Sequence, residues 1–94
     1  MNKYESVVII DPKLEDEAVK KLITKFSDLI NTDGTVVSVD ELGKKKLAYE
    51  IKKNKEAYYV IIKFEANPNL ITELERYYRI SDDVIKFIVV RDGE

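Results

Sequence analysis

The sequence predicts an α+β fold of order βαββαβ, a four-stranded antiparallel sheet carrying two helices on one face. Three observations predict it. Four stretches are rich in β-branched and aromatic residues: Tyr4–Ile10, Thr35–Val39 with its continuation Leu47–Ile51, Ala57–Glu65 and Val84–Arg91. Two stretches between them carry apolar residues at helical spacing. No linker, low-complexity run or tandem repeat interrupts the 94 residues, so residues 1–94 are expected to form a single domain, with 45% hydrophobic content to fill one core.

Each element follows from local chemistry. The first strand stops at Asp11-Pro12, where proline has no amide to give to a ladder. From Leu14 the period changes: Leu14, Ala18, Val19, Leu22, Ile23, Phe26, Leu29 and Ile30 share one helical stripe. Glu15, Asp16 and Glu17 occupy its first turn, where the helix dipole favours negative charge. Asn31-Thr32-Asp33-Gly34 closes the helix, with Gly34 available for a left-handed turn.

After Thr35–Val39 the stretch Glu41–Lys46 reads as irregular, and Gly43 suggests a bulge or a close approach. Strand character returns at Leu47–Ile51, and the polar residues 52–56 read as a hairpin tip before Ala57–Glu65. Asn67-Pro68-Asn69 starts a second helix, with either asparagine a candidate cap and Leu70, Ile71, Leu74, Tyr77 and Tyr78 on the apolar face. Ser81-Asp82-Asp83 breaks it before the last strand. Two βαβ halves with right-handed crossovers then give the ferredoxin-like sandwich.

Several kinds of function are excluded by what the chain lacks. It has no cysteine, so disulfides and thiolate sites are ruled out, and no histidine, the usual proton shuttle near neutral pH. The three glycines, at 34, 43 and 93, form no phosphate loop. Asp11, Glu15, Asp16 and Glu17 read as compensation at a helix start in preference to a cation site. Met1–Glu5 is polar, the apolar run Val7–Ile10 is too short for a signal sequence, and no stretch approaches the ~20 apolar residues of a membrane span. The expectation is a soluble cytoplasmic protein with no catalytic residue, no metal, no cofactor and no small-molecule substrate.

Two features call for a partner. In the strands, Tyr58, Val60, Ile62, Phe64, Phe87 and Val89 are assigned to the core, which leaves Val7, Ile9, Tyr59, Ile61, Ile88 and Val90 on the face without helices. Exposed valine and isoleucine are good strand formers and need no further explanation. Six large apolar groups together also fit a contact surface. Base stacking would want aromatics, and Tyr59 is the one this face supplies with certainty, so a protein partner fits it better.

Charge is the second feature. Lys44, Lys45, Lys46, Lys52, Lys53 and Lys55 stand against the single acid Glu50, so this segment carries +5 within a chain of net charge −2, and the remainder carries −7. Lysines on a projecting hairpin can approach phosphates as point charges, with Tyr49 between the two clusters able to stack. A solvated loop explains the same run, and the residues alone leave both readings open.

The order of motifs resembles a known family along essentially the whole chain, the sixth protein of the bacterial small ribosomal subunit ("S-six"). The resemblance is carried by Tyr4-Glu5 with a strand ending in Asp11-Pro12, and by Glu41-Leu42-Gly43 with Lys44–Lys46 and Leu47-Ala48-Tyr49-Glu50-Ile51. Glu73-Leu74-Glu75-Arg76 leading into Tyr78-Arg79-Ile80 and Val84–Val90 completes it. The resemblance implies binding to the central domain of small-subunit ribosomal RNA as a heterodimer with ribosomal protein S-eighteen, without catalysis. Carried over by position, the implied RNA contacts are Lys44, Lys45, Lys46, Tyr49, Lys52 and Lys53, with Tyr4 and Lys86 as secondary ones. Family members often have arginine within the Lys44–Lys46 stretch; lysine keeps the charge but lacks the planar fork, so no base-specific readout is expected there. Some members have a longer C-terminal tail, and no role for one is expected in a sequence stopping at Asp92-Gly93-Glu94.

Two rivals use the same fold. A small-molecule-binding regulatory module would dimerise through the open face, and a ligand that raised the melting temperature without RNA being retained would favour it. A small phosphate-ester or acyl-phosphate hydrolase would need an anion loop with an arginine after the first strand, where this chain has Asp11-Pro12-Lys13.

Overall fold

The computed structural model describes residues 2–51 and 53–91, residue 51 by its backbone. The elements run β1 (Asn2–Ile10), α1 (Asp16–Asn31), β2 (Gly34–Ile51), β3 (Asn54–Ala66), α2 (Pro68–Ile80) and β4 (Val84–Arg91). The sheet order is β2-β3-β1-β4, antiparallel at every pairing, as the split βαβ reading expects. Asp11 ends β1 by a local device: its carboxylate accepts from the Lys13 amide at 2.9 Å, while its own amide donates to the Asp83 carbonyl at 2.9 Å.

Both helices bury the stripes their sequences mark. Val19, Ile23, Phe26 and Ile30 of α1 and Leu70, Leu74 and Tyr78 of α2 are buried. They close on Tyr4, Val8, Ile10, Val60, Ile62 and Phe64 of the sheet, while Tyr58, Phe87 and Val89 pack partly buried at its margin. Tyr78 sits at the centre of this layer. Its ring meets Phe26 edge-on at 4.7 Å and Phe87 at 5.2 Å between centroids, and its hydroxyl lies 2.9 Å from Ser6 Oγ. Ser6 is the one buried polar residue among those described, so this hydrogen bond satisfies a group that would otherwise be costly to enclose.

Two local expectations change. Helix α1 begins at Asp16 with Glu15 at its N-cap, two residues after Leu14, where the helical period starts in the sequence, and Leu14 packs against the core from outside it. The helix then ends without a left-handed residue: Thr32 keeps right-handed backbone angles and its hydroxyl donates to the Leu29 carbonyl at 2.6 Å. Gly34 is there for room instead, because a Cβ would strike the Glu65 carbonyl and stand 2.9 Å from the Ala66 Cβ.

The stretch Glu41–Lys46 is no break in the strand. Pairing runs through it from Asp40↔Ile61 to Lys46↔Glu56, with a register shift between Glu41 and Gly43. Gly43 has φ +79°, the left-handed bulge residue that slips one residue out of register without ending the ladder.

Candidate nucleic-acid and partner interface

The basic segment forms the far end of the sheet. Strand β1 runs beside β3 only as far as Ile10↔Tyr58, whereas β2 and β3 continue together through Lys45↔Ala57, Lys46↔Glu56 and Ile51↔Asn54. Beyond Tyr58 the sheet is therefore a two-stranded ribbon. Lys44, Lys45, Lys46, Lys53 and Lys55 are all exposed on it, and among the described residues none of them makes an ion pair. Pairing alternation puts Lys44 and Lys46 on the helix-side parity and Lys45 on the other, so the charge surrounds the ribbon. Lys52 lies outside the described residues.

The ribbon is not straight. Between Lys46↔Glu56 and Ile51↔Asn54, the four residues Leu47–Glu50 stand opposite Lys55 alone. Surplus length of this kind must leave the plane of the ladder. The resulting arch brings Leu47, Ala48 and Tyr49 over the helix-free face, where they share a groove with Ile9, Tyr59, Lys86 and Ile88. A wider groove follows the ribbon itself, lined by Lys46, Tyr49, Glu50, Lys55 and Glu56 among others.

The helix-free face is apolar across β3, β1 and the edge strand β4. Val7 pairs with Ile61 on one side and Ile88 on the other, and Val90 follows opposite Glu5. Ile88 is 47% and Val90 46% exposed, Val7, Ile61 and Tyr59 are half-buried, and Lys63 and Glu5 mark one margin of the patch. Ile9 differs from its neighbours: it is only 6% exposed although it lies outside the main core cluster. It belongs to the floor beneath the arch, in the row Gly43, Tyr59, Ile9, Lys86.

The eight candidate RNA contacts therefore do not gather in one place. Lys44, Lys45, Lys46 and Lys53 share the ribbon; Tyr49, 67% exposed, and Lys86 meet at the groove. Tyr4 stands apart. It is 9% exposed, stacked on Phe64 with centroids 5.7 Å apart, and its hydroxyl accepts from Asn2 Nδ2 at 3.3 Å, so its place is in the helix-side core. Sequence reasoning missed the meeting of Tyr49 with Tyr59 and Lys86. No local pattern reports it, because the arch depends on a mismatch of lengths between two strands.

The described residues hold no cluster of three or more His, Cys, Asp or Glu side chains able to bind a metal ion, and no helix among them is long and apolar enough to cross a membrane.

Comparison with known proteins gives one consistent result. The model of the family described as Ribosomal protein S6 matches residues 3–91. The small ribosomal subunit protein bS6 of Heliobacterium modesticaldum is 48% identical, the alignment covering 100% of this chain and 99% of that protein. The protein of the same name from Clostridium perfringens is 50% identical over 100% of both. Among solved structures, the crystal structure of 30S ribosomal protein S6 from Thermotoga maritima matches with a TM-score of 0.91 at 33% identity, covering 96% of this chain and 86% of that one.

Proposed function

We propose, from the premise that this chain belongs to the ribosomal protein S6 family, that it binds small-subunit ribosomal RNA through its lysine ribbon while its helix-free sheet face is covered by ribosomal protein S-eighteen. Membership itself makes the chain a structural constituent of the small ribosomal subunit, located with the ribosome in the cytoplasm, and not an enzyme. The ribbon is the element best suited to hold it in the particle. Three consecutive exposed lysines, with Lys53 and Lys55 across the turn, leave unneutralised positive charge on an element that stands clear of the sheet body. Such charge displaces condensed counterions from a phosphate backbone, which supplies affinity without reading sequence.

The other surface supports the protein partner. Half-buried Val7 and Ile61 with exposed Ile88 and Val90 form an apolar patch flanked by charge, suited to the central domain of the RNA only if another chain lies between. A heterodimer also helps electrostatically, because a chain of net charge −2 gains attraction to RNA when a basic partner joins it.

The test is the salt dependence of RNA binding by the heterodimer. Replacing Lys44, Lys45 and Lys46 together by alanine is expected to flatten the slope of log K against log salt by about 0.7–0.9 for each phosphate that lysine no longer neutralises. An unchanged slope removes those lysines from the interface. Co-sedimentation with small subunits at low salt, reduced at high salt, provides the cellular counterpart.

A further inference from the structure

We infer that the two sides of the lysine ribbon differ in what they can hold: the helix side is balanced by carboxylates of the chain itself, and the phosphate backbone is taken on the opposite side, at Lys45. The inference rests on the RNA-binding reading above and sharpens it, because it divides three consecutive lysines into one that meets the polyanion and two that do not.

The register supports it. Side chains alternate along a strand, so residues 41 and 44 of an unbroken β2 would point to opposite sides. Here Glu41 pairs with Val60 and Lys44 with Tyr58, which share the helix-side parity of β3. The slip is made at Gly43, whose φ of +79° places the bulge between them. A bulge that leaves the ladder paired thus brings an acid onto the row of Lys44. The next lysine of that row, Lys46, stands directly opposite Glu56.

Tyr58 reports the inner pair. Its phenol donates a hydrogen bond to the Glu41 carboxylate, and it is held above its ordinary pKa of 10.0 by burial first, then by the negative charges of Glu41 and of Asp16 at the start of α1. Negative charge therefore reaches the position that Lys44 faces across the ladder. Among the described residues none of these lysines closes a contact ion pair, so the carboxylates act through space. Cross-strand neighbours lie about 5 Å apart at Cα, well inside the ~10 Å over which exposed charges act at 0.1 M salt. A phosphate approaching the helix side meets repulsion along with attraction.

Lys45 is placed differently. It stands opposite Ala57, which is buried and carries no charge, on the side shared by Lys55. The acid nearest that side is Glu50 of the arch, which lines the ribbon groove with Lys55. Lys45 also lies beyond Ile10↔Tyr58, where β1 ends, and so outside the patch of Val7, Ile61, Ile88 and Val90 given to the protein partner. RNA and partner then approach neighbouring parts of the molecule without competing for one surface.

The experiment follows binding of the heterodimer to a central-domain fragment of small-subunit RNA through a salt series, with each lysine changed singly. Lys45→Ala is expected to flatten the slope of log K against log salt by about 0.7–0.9, and Lys44→Ala and Lys46→Ala to leave it unchanged. Neutralising both acids, Glu41→Gln with Glu56→Gln, is expected to tighten binding at low salt by about two- to fivefold, the effect of an exposed charge interaction. In that background Lys44→Ala or Lys46→Ala is expected to flatten the slope, since a lysine relieved of its carboxylate becomes available to phosphate. Glutamine keeps an acceptor for Tyr58, and all the substituted positions are exposed, so the fold is expected to survive. A flattening at Lys44→Ala or Lys46→Ala in the otherwise unchanged chain, as large as that at Lys45→Ala, overturns the division and leaves the ribbon reading standing. So does an affinity that ignores the loss of both acids. Unchanged slopes in all three single variants sink the ribbon reading with it, as does a wild-type heterodimer that retains no RNA.

Discussion

Ile61 and Ile62 are neighbours in β3 with the same side chain and the same strand preference, yet their surroundings differ. Ile62 is fully buried between the sheet and the helices, whereas Ile61 lies half-buried on the opposite side with Val7 beside it. The contrast extends to whole faces. One joins Val8, Ile10, Val60 and Phe64 to Phe26, Leu74 and Tyr78 in a sealed layer, while the other leaves Ile88 and Val90 nearly half exposed. Residue type therefore does not determine which face becomes the core. The attachment of two helices does, and apolar residues on the face without them remain available to other molecules.

Removing bulk from each face sharpens this difference. The largest effect is expected at Phe64→Ala, which deletes a fully buried ring stacked against Tyr4 and should cost about 3–5 kcal/mol in denaturant unfolding. Next comes alkaline pH. Burial pushes the Tyr78 phenol up to about 12 from its ordinary value of 10.0, against a smaller opposing effect of the hydrogen bond with Ser6. In the unfolded chain the phenol ionises near its ordinary value. The stabilisation is thus complete below pH ~10 and is lost as pH rises towards ~12, up to roughly 2–3 kcal/mol in all. Unfolding measured between these pH values should show that slope, and Tyr78→Phe should remove this residue's part of it.

At the ribbon base, Gly43→Ala should cost about 1–2 kcal/mol through its left-handed backbone alone, because the added methyl group meets no neighbour. The smallest change in stability is expected on the open face: Ile88→Ser should shift unfolding by less than about 0.5 kcal/mol. The same substitution should weaken the heterodimer by about fivefold or more in calorimetric titration, since it removes apolar area the partner would cover. A large loss of stability at Ile88 would instead mean that this face works as a second core.

The order of elements was legible because each is marked twice, by periodicity and by what ends it, as with the Asp11-Pro12 stop and the stripe from Val19 to Ile30. The limits of β2 were less legible. Three lysines in succession hide the alternation of a strand, and the bulge at Gly43 shifts its parity, so Glu41–Lys46 reads as irregular when its backbone pairs almost throughout. Of the site, the lysine cluster could be read directly because charge is a property of composition. The burial of Ile9 and the packing of Tyr4 could not. Ile9 has the parity of an exposed residue and is covered by an arch some forty positions away, and Tyr4, near the start of β1, meets its neighbours Phe64 and Arg91 only through pairing with β3 and β4.

That last pairing governs how the protein is made. Strand β1 lies between β3 and β4, with Tyr4 opposite Arg91, and Arg91 donates to Asn2 at 3.0 Å. The first strand synthesised thus acquires its final neighbour only when residue 91 has left the ribosome. Until then the backbone of Tyr4–Ile10 is an unpaired edge that other chains can template on. A chain that lacks β4 therefore keeps one side of β1 open, and the closed sheet forms only once β4 is available to pair.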